Sequence, residues 1–295
     1  MMPWSDGPSL ASAEMTQFAE WIGRKSERED VVTERLVASF RAIFEPHLSP
    51  VTDGAAPLGI HWCLSPEIAP IAELGPDGHP AKNRDLPPVP QPRRMWAGGS
   101  IEILESLHIG DRVRRISTIA DIVRKEGRTG ELWFVGVDHD YVTERGVAIR
   151  ERHNIVYREA ARLASGSKPA PAGEAPVPSR PISRSWSVAT SSIFLFRYSA
   201  ITFNGHRIHY DLPYAAEVEG YDGLVVHGPI QATLLLNLAA VEEGAAPRRF
   251  SYRGVSPAIA GTPLAVCAGS ADGDRAYWTQ GPSGLVHMEA KSTER

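Results

Sequence analysis

Hydrophobic positions along this chain fall into two runs of the same order, helical spacing first and strand-like segments after it. "VVTERLVASFRAIF" (Val31–Phe44) sets apolar residues three and four apart, with Thr33 as a cap, and "MTQFAEWIG" (Met15–Gly23) has similar spacing. Both predict helices. Four strands then follow: "SIEILESL", "RVRRISTIADIVRKE", "GELWFVGVDHDYVTE" and "GVAIRERHNIVYRE". Most are rich in β-branched or aromatic residues, and Gly-containing turns such as "EGRTGE" separate them. The second run opens with a short strand, "SWSVATSS", and a helix, "PIQATLLLNLAAVEE" (Pro229–Glu243), with Pro229 in its first turn. It continues through "RRFSYRGVSP", "TPLAVCAGSADG", "DRAYWTQGPSG" and "LVHMEAKST", all strand-like.

A stretch dense in Pro, Ala, Gly and Ser separates the runs and reads as an extended linker. The expected division is a first domain over 13–164, a linker over 165–180 and a second domain over 181–295. "GPDGHPAKNRDLPPVPQP" (Gly75–Pro92) reads as a long loop within the first domain, of a length that usually serves a site or stays mobile. The two halves also echo each other in "PRRMWAGG" from Pro92 and "PRRFSYRG" from Pro247, which points to an internal repeat. An α+β architecture follows: a tandem, or double, hot-dog in which a long helix is wrapped by a curled antiparallel sheet in each half. The second helix is apolar on nearly every face, as enclosure requires.

Composition narrows the function. Hydrophobic residues make up 42% and the formal charge is −4, so a large core is expected and a nucleic-acid footprint is not. Arg still gathers at Arg93–Arg94, Arg112–Arg115 and Arg248–Arg249, which leaves room for small anionic ligands. Cys63 and Cys267 read as two reduced core thiols. The N-terminus lacks the pattern of a secretory signal, and no apolar run approaches the ~20 residues of a membrane span. The expectation is a cytoplasmic protein with no membrane partner.

The chemistry concentrates in "AITFNGHRIHYD", followed by "GLVVHGPIQATLL". Here the chain resembles the MaoC-like, R-specific enoyl-CoA hydratases and hydroxyacyl-thioester dehydratases, in particular the double hot-dog branch. That branch contains the type 2 hydroxyacyl-thioester dehydratases and the mesaconyl-C4-CoA and itaconyl-CoA hydratases. The resemblance implies that His209 is the catalytic His and that Asn204 stands where many members have a catalytic Asp. It implies that the Gly228 backbone N–H faces the thioester oxygen. An Asn can only hold a water or hydroxyl by hydrogen bonds, so acid–base work would rest on His209, whose imidazole can accept and return a proton. The implied reaction is reversible hydration of an enoyl thioester, with mesaconyl- or itaconyl-CoA-like substrates as the leading guess. No cofactor is expected, coenzyme A being part of the substrate, and a homodimer of double hot-dogs is allowed.

Other residues keep two readings each. Arg207 and Arg197 could bind a substrate carboxylate or a coenzyme A phosphate, or pair with nearby acids. Trp96 could wall the acyl pocket or pack in the core. His206 could line the mouth of the site, with a solvated loop His as the favoured reading, and His227 is read as a structural hydrogen-bonding group. No metal-ligand spacing or phosphate-binding Gly loop appears. Nothing like Asn204–His209 precedes the first-half helix, so one site per chain is expected. Two rival functions stand: a hot-dog acyl-CoA thioesterase, since fold does not fix chemistry, and a non-catalytic acyl-thioester binding subunit.

Overall fold

A computed structural model describes residues 18–127, 130–159, 180–271 and 274–293. The first half runs β1 (Lys25–Val31), α1 (Glu34–Phe44), a long irregular stretch, then β2 (Arg93–Ile103), β3 (Arg112–Gly127), β4 (Gly130–Thr143) and β5 (Gly146–Arg158). The second runs β6 (Ile182–Ala189), α2 (Ser192–Thr202), α3 (Gly228–Glu243), β7 (Arg249–Gly254), β8 (Pro263–Ala271), β9 (Asp274–Gln280) and β10 (Val286–Thr293). Apart from Arg180, the expected linker lies outside the described residues.

All ten strands form one antiparallel sheet in the order β1-β3-β4-β5-β2-β7-β10-β9-β8-β6. Read outward from the β2/β7 junction, both halves show the same strand sequence. At that junction Gly98 pairs with Arg253, which are the residues at the same offset in "PRRMWAGG" and "PRRFSYRG". The echo in the sequence therefore lies on the local two-fold axis that joins the halves.

The two helices are unequal. Along α3 every side chain from Ile230 to Ala240 is buried, as its all-round apolar sequence demands. Helix α1 is 11 residues long and amphipathic; Thr33 Oγ1 caps it by accepting from Leu36 N–H, and Leu36, Val37, Phe40 and Phe44 face inward. The helix expected in each half forms; α3 is the long enclosed one and α1 its shorter counterpart. Pro46 lies two residues beyond Phe44 and cannot continue a helix. Irregular chain covers much of the remaining concave face, contributing buried Ala56, Ile60, Leu64 and Val89.

One other expectation changes, and two elements appear that the sequence reading did not name. Of Met15–Gly23, the described part holds only a 3-10 turn at Ala19–Trp21. The charged segment Lys25–Val31 is an edge strand, a place where charge discourages further pairing. Segment Ser192–Thr202 forms α2, capped by Ser191 Oγ accepting from Phe194 N–H. Cys63 and Cys267 are buried free thiols, in line with the sequence reading. No described helix is long and apolar enough to cross a membrane.

Polar contacts also bind the halves. Asn237, fully buried in α3, accepts from Ser49 N–H and Oγ–H, both at 3.0 Å, and donates to Leu58 O at 3.1 Å. Glu151 on β5 accepts from Trp62 Nε1–H at 2.6 Å and from the Tyr252 hydroxyl of β7 at 3.0 Å. Replacing Asn237 by Leu would strand the Ser49 N–H and the Leu58 carbonyl, each costing about 1–3 kcal/mol. We expect Asn237→Leu to lower unfolding free energy in urea by about 2–6 kcal/mol. A change below 0.5 kcal/mol would show that this clamp does not hold the halves.

Candidate active site

Helix α2 ends at Phe203, whose left-handed backbone (φ 51°) turns the chain, while Asn204 N–H reaches back to Ser199 O at 2.9 Å. Asn204 Oδ1 then accepts from His206 N–H at 2.9 Å, an Asx turn that leads into the short 3-10 turn Arg207–His209. Arg207 fixes this turn. Its guanidinium bonds Asp211 Oδ2 at 2.7 and 2.9 Å, covers the Tyr214 ring at 4.1 Å and donates to Pro76 O at 3.0 Å.

His209 is buried, 7% exposed, with Nδ1 2.7 Å from Val225 O. A carbonyl only accepts, so Nδ1 carries the hydrogen and Nε2 keeps the lone pair. Burial lowers the His209 pKa to about 4, only partly offset by the Val225 hydrogen bond. The ring stacks on His227 at 3.5 Å and 16°, and His227 in turn meets Ser199 Oγ through Nε2 at 2.9 Å. Burial and the neighbouring His209 hold His227 well below the ordinary imidazole range.

A cavity of about 920 Å³ opens beside these groups and is lined by Asn204, His206, His209, Gly228, Trp96 and Arg94, among others. Trp96 crosses from β2: a Cβ on Gly228 would sit 2.5 Å from Trp96 Cε3, so the start of α3 tolerates no side chain there. Behind it, Trp96 stacks on Tyr252 at 4.7 Å. The α3 N-terminus adds free amides and the positive end of the helix dipole to this corner.

The structure thus brings Asn204, His209, Gly228 and Trp96 to one cavity, and it separates Arg207 and Arg197 from it. Arg207 pairs with Asp211 and covers the Tyr214 ring, and it is not among the residues that line the cavity. Arg197 is exposed on α2. His206 departs from the expectation of a solvated loop residue: it is 8% exposed, and its ring lies 4.0 Å from His79 and 5.3 Å from His209. Sequence reasoning passed over Asp77 and His79. Their only signal was a long Pro- and Gly-rich loop, and that loop packs against the Asn204–Arg207 turn. Arg94 stood in a noted basic pair without an assigned role.

Comparison with known proteins bears on the family and the fold. Residues 59–260 match the family described as hydroxyacyl-thioester dehydratase type 2. A curated mesaconyl-C(4)-CoA hydratase of Chloroflexus aurantiacus is 39% identical over 92% of this chain and 95% of its own. A MaoC-like dehydratase of Phytophthora capsici superposes with a TM-score of 0.63 at 15% identity, covering 94% of this chain and 99% of the other. A Mycobacterium tuberculosis protein with a double hot-dog fold gives 0.54 at 12% identity, covering 91% and 94%. The two solved structures bear on fold alone, and the fold is the double hot-dog.

If His209 is the base, kcat/KM should be flat from about pH 8 to pH 5 and fall only as its pKa of about 4 is approached. An acid limb at the ordinary imidazole value of 6.5 in a pH–rate profile would contradict the buried setting.

Proposed function

Because the chain belongs to the hydroxyacyl-thioester dehydratase type 2 family, we propose that it reversibly hydrates a short, carboxylate-bearing enoyl-CoA ester, of the mesaconyl-CoA type, at the His209 cavity. The observation that carries the reading is the fixed tautomer of His209, whose unprotonated Nε2 stays basic beside a cavity walled by the α3 start. In the hydration direction Nε2 takes one proton of a water held by the Asn204 amide. The water oxygen bonds C3 as the C2=C3 π pair shifts towards the thioester oxygen. The Gly228 N–H, an amide without an intrahelical acceptor, stabilises that developing charge. The His209 imidazolium then returns the proton to C2, which restores the thioester and neutral His209. The carboxylates that line the cavity, Glu67, Asp85 and Glu219, are paired with Arg84, Arg28 and Arg93.

A carboxylate on the acyl group needs a cation, and Arg94 supports this part of the reading. It lies two residues from Trp96 on the same side of β2, and both line the cavity. Among the described residues Arg94 has no carboxylate within 4 Å, its charge acting on Glu67 from farther off and on the Tyr157 hydroxyl, whereas the adjacent Arg93 pairs with Glu219 at 3.0 Å.

A panel of enoyl-CoA esters of graded length and charge, followed by loss of conjugated-thioester absorbance, tests the reaction. At least one ester should be consumed without thiol release, and His209→Ala should slow it by about 10²–10⁴-fold. Thiol release at the same rate would identify a thioesterase instead. For Arg94→Gln, kcat/KM should drop about tenfold or more for the carboxylate ester while crotonyl-CoA, which lacks the carboxylate, keeps its rate. Equal losses on both esters would remove Arg94 from acyl recognition.

A further inference from the structure

Hydration by His209 leaves a gap that Asn204 does not fill. Its Oδ1 is occupied by His206 N–H at 2.9 Å, so toward the cavity the amide mainly offers its NH2 donors. A water held only by a donor and by His209 Nε2 could still swing its second hydrogen freely. The site needs a second acceptor, the role a carboxylate at position 204 would serve.

His206 occupies the right place. It lines the cavity, its ring meets His209 edge to face at 5.3 Å, and among the described residues that ring has no hydrogen-bond partner. Burial and the adjacent His79 and His209 keep it neutral, with one nitrogen bearing a lone pair. Its other side is built by the first half. His79 lies against it at 4.0 Å, and Asp77 Oδ2 meets His79 Nδ1 at 2.8 Å, which fixes the His79 ring. The loop carrying both is pinned to the turn: Arg207 N–H donates to Asp77 O at 2.9 Å, and a Cβ on Gly78 would overlap the Gly205 carbonyl oxygen. So close an approach requires glycine, and Gly78 also has φ +85°.

We propose that His206 is a second catalytic imidazole, accepting a hydrogen bond from the reacting water or 3-hydroxyl, and that Asp77 and His79 are positioning residues that hold its ring. The proposal rests on the hydration reading above. One water proton goes to His209 Nε2 and later to C2; the hydrogen held by His206 stays on the oxygen as the product hydroxyl, so His206 is unchanged over the cycle. The first half then contributes to catalysis through its loop as well as through Trp96.

The test is steady-state kinetics on the ester the wild type consumes, for His206→Ala, His206→Asn, Asp77→Asn and the double variant Asp77→Asn/His206→Ala. Loss of water orientation should lower kcat of His206→Ala by about 10²-fold with KM within about twofold. His206→Asn, which restores a short acceptor, should recover part of that loss. Asp77→Asn should cost about tenfold in kcat, and the double variant should be no slower than His206→Ala alone, because both changes remove one function. Unchanged kcat in His206→Ala, or a loss confined to KM, would overturn the role. Fully additive losses would overturn the positioning by Asp77. Activity abolished by a chelator and restored by Zn²⁺ would also overturn it, since Asp77, His79 and His206 lie close enough to be a ligand set. A wild type inactive on every ester would sink the hydratase reading along with this one, whereas an active wild type with an unaffected His206→Ala would sink this one alone.

Discussion

The pairing of β2 with β7 is the constraint on which the site depends. It places the Trp96 strand beside the opening turn of α3, where the absent side chain of Gly228 makes room for an indole. Without that register, His209 would face a shallow groove in one half of the sheet. With it, the Asn204–His209 turn, the helix start and the first-half strand enclose a common volume.

The inequality of the helices serves the same end. Helix α3 is enclosed and supplies both a rigid apolar axis and a polar corner at its first turn. Helix α1 covers only part of its sheet, and irregular chain between α1 and β2 covers much of the rest. That chain is long enough to cross the junction and rest against the second half's turn. The stretch between the short α1 and β2 thereby supplies a wall of the site, with Trp62, Pro66 and His79 in its lining.

How much of this was legible in the sequence follows from the range of each signal. Thr33, Pro229 and the apolar run of α3 act within a few residues, and the expected helices appear there. The motif around Asn204 and His209 is also local, and its two side chains share a cavity. By contrast, β1 escaped notice because alternation among charged residues carries no hydrophobic period, and α2 because its apolar residues do not gather on one face. Asp77 and His79 were invisible for a different reason: they matter only through a contact with a turn more than a hundred residues away. For Arg207 the sequence left two readings open, and the structure shows the pairing with a nearby acid, Asp211 four positions on. His206 was misjudged because loop membership says little about burial once another loop lies on top.

The Asn237 clamp spans 188 residues of sequence, and the first-half loop reaches the Asn204–His209 turn across 131. Such distant closures are slow to form, because chain entropy must be lost before the contacts reward it. Either half could acquire its strands early, yet the reaction volume exists only after the last of these closures. Recovery of turnover during refolding would therefore lag behind recovery of secondary structure and report the final docking of the halves.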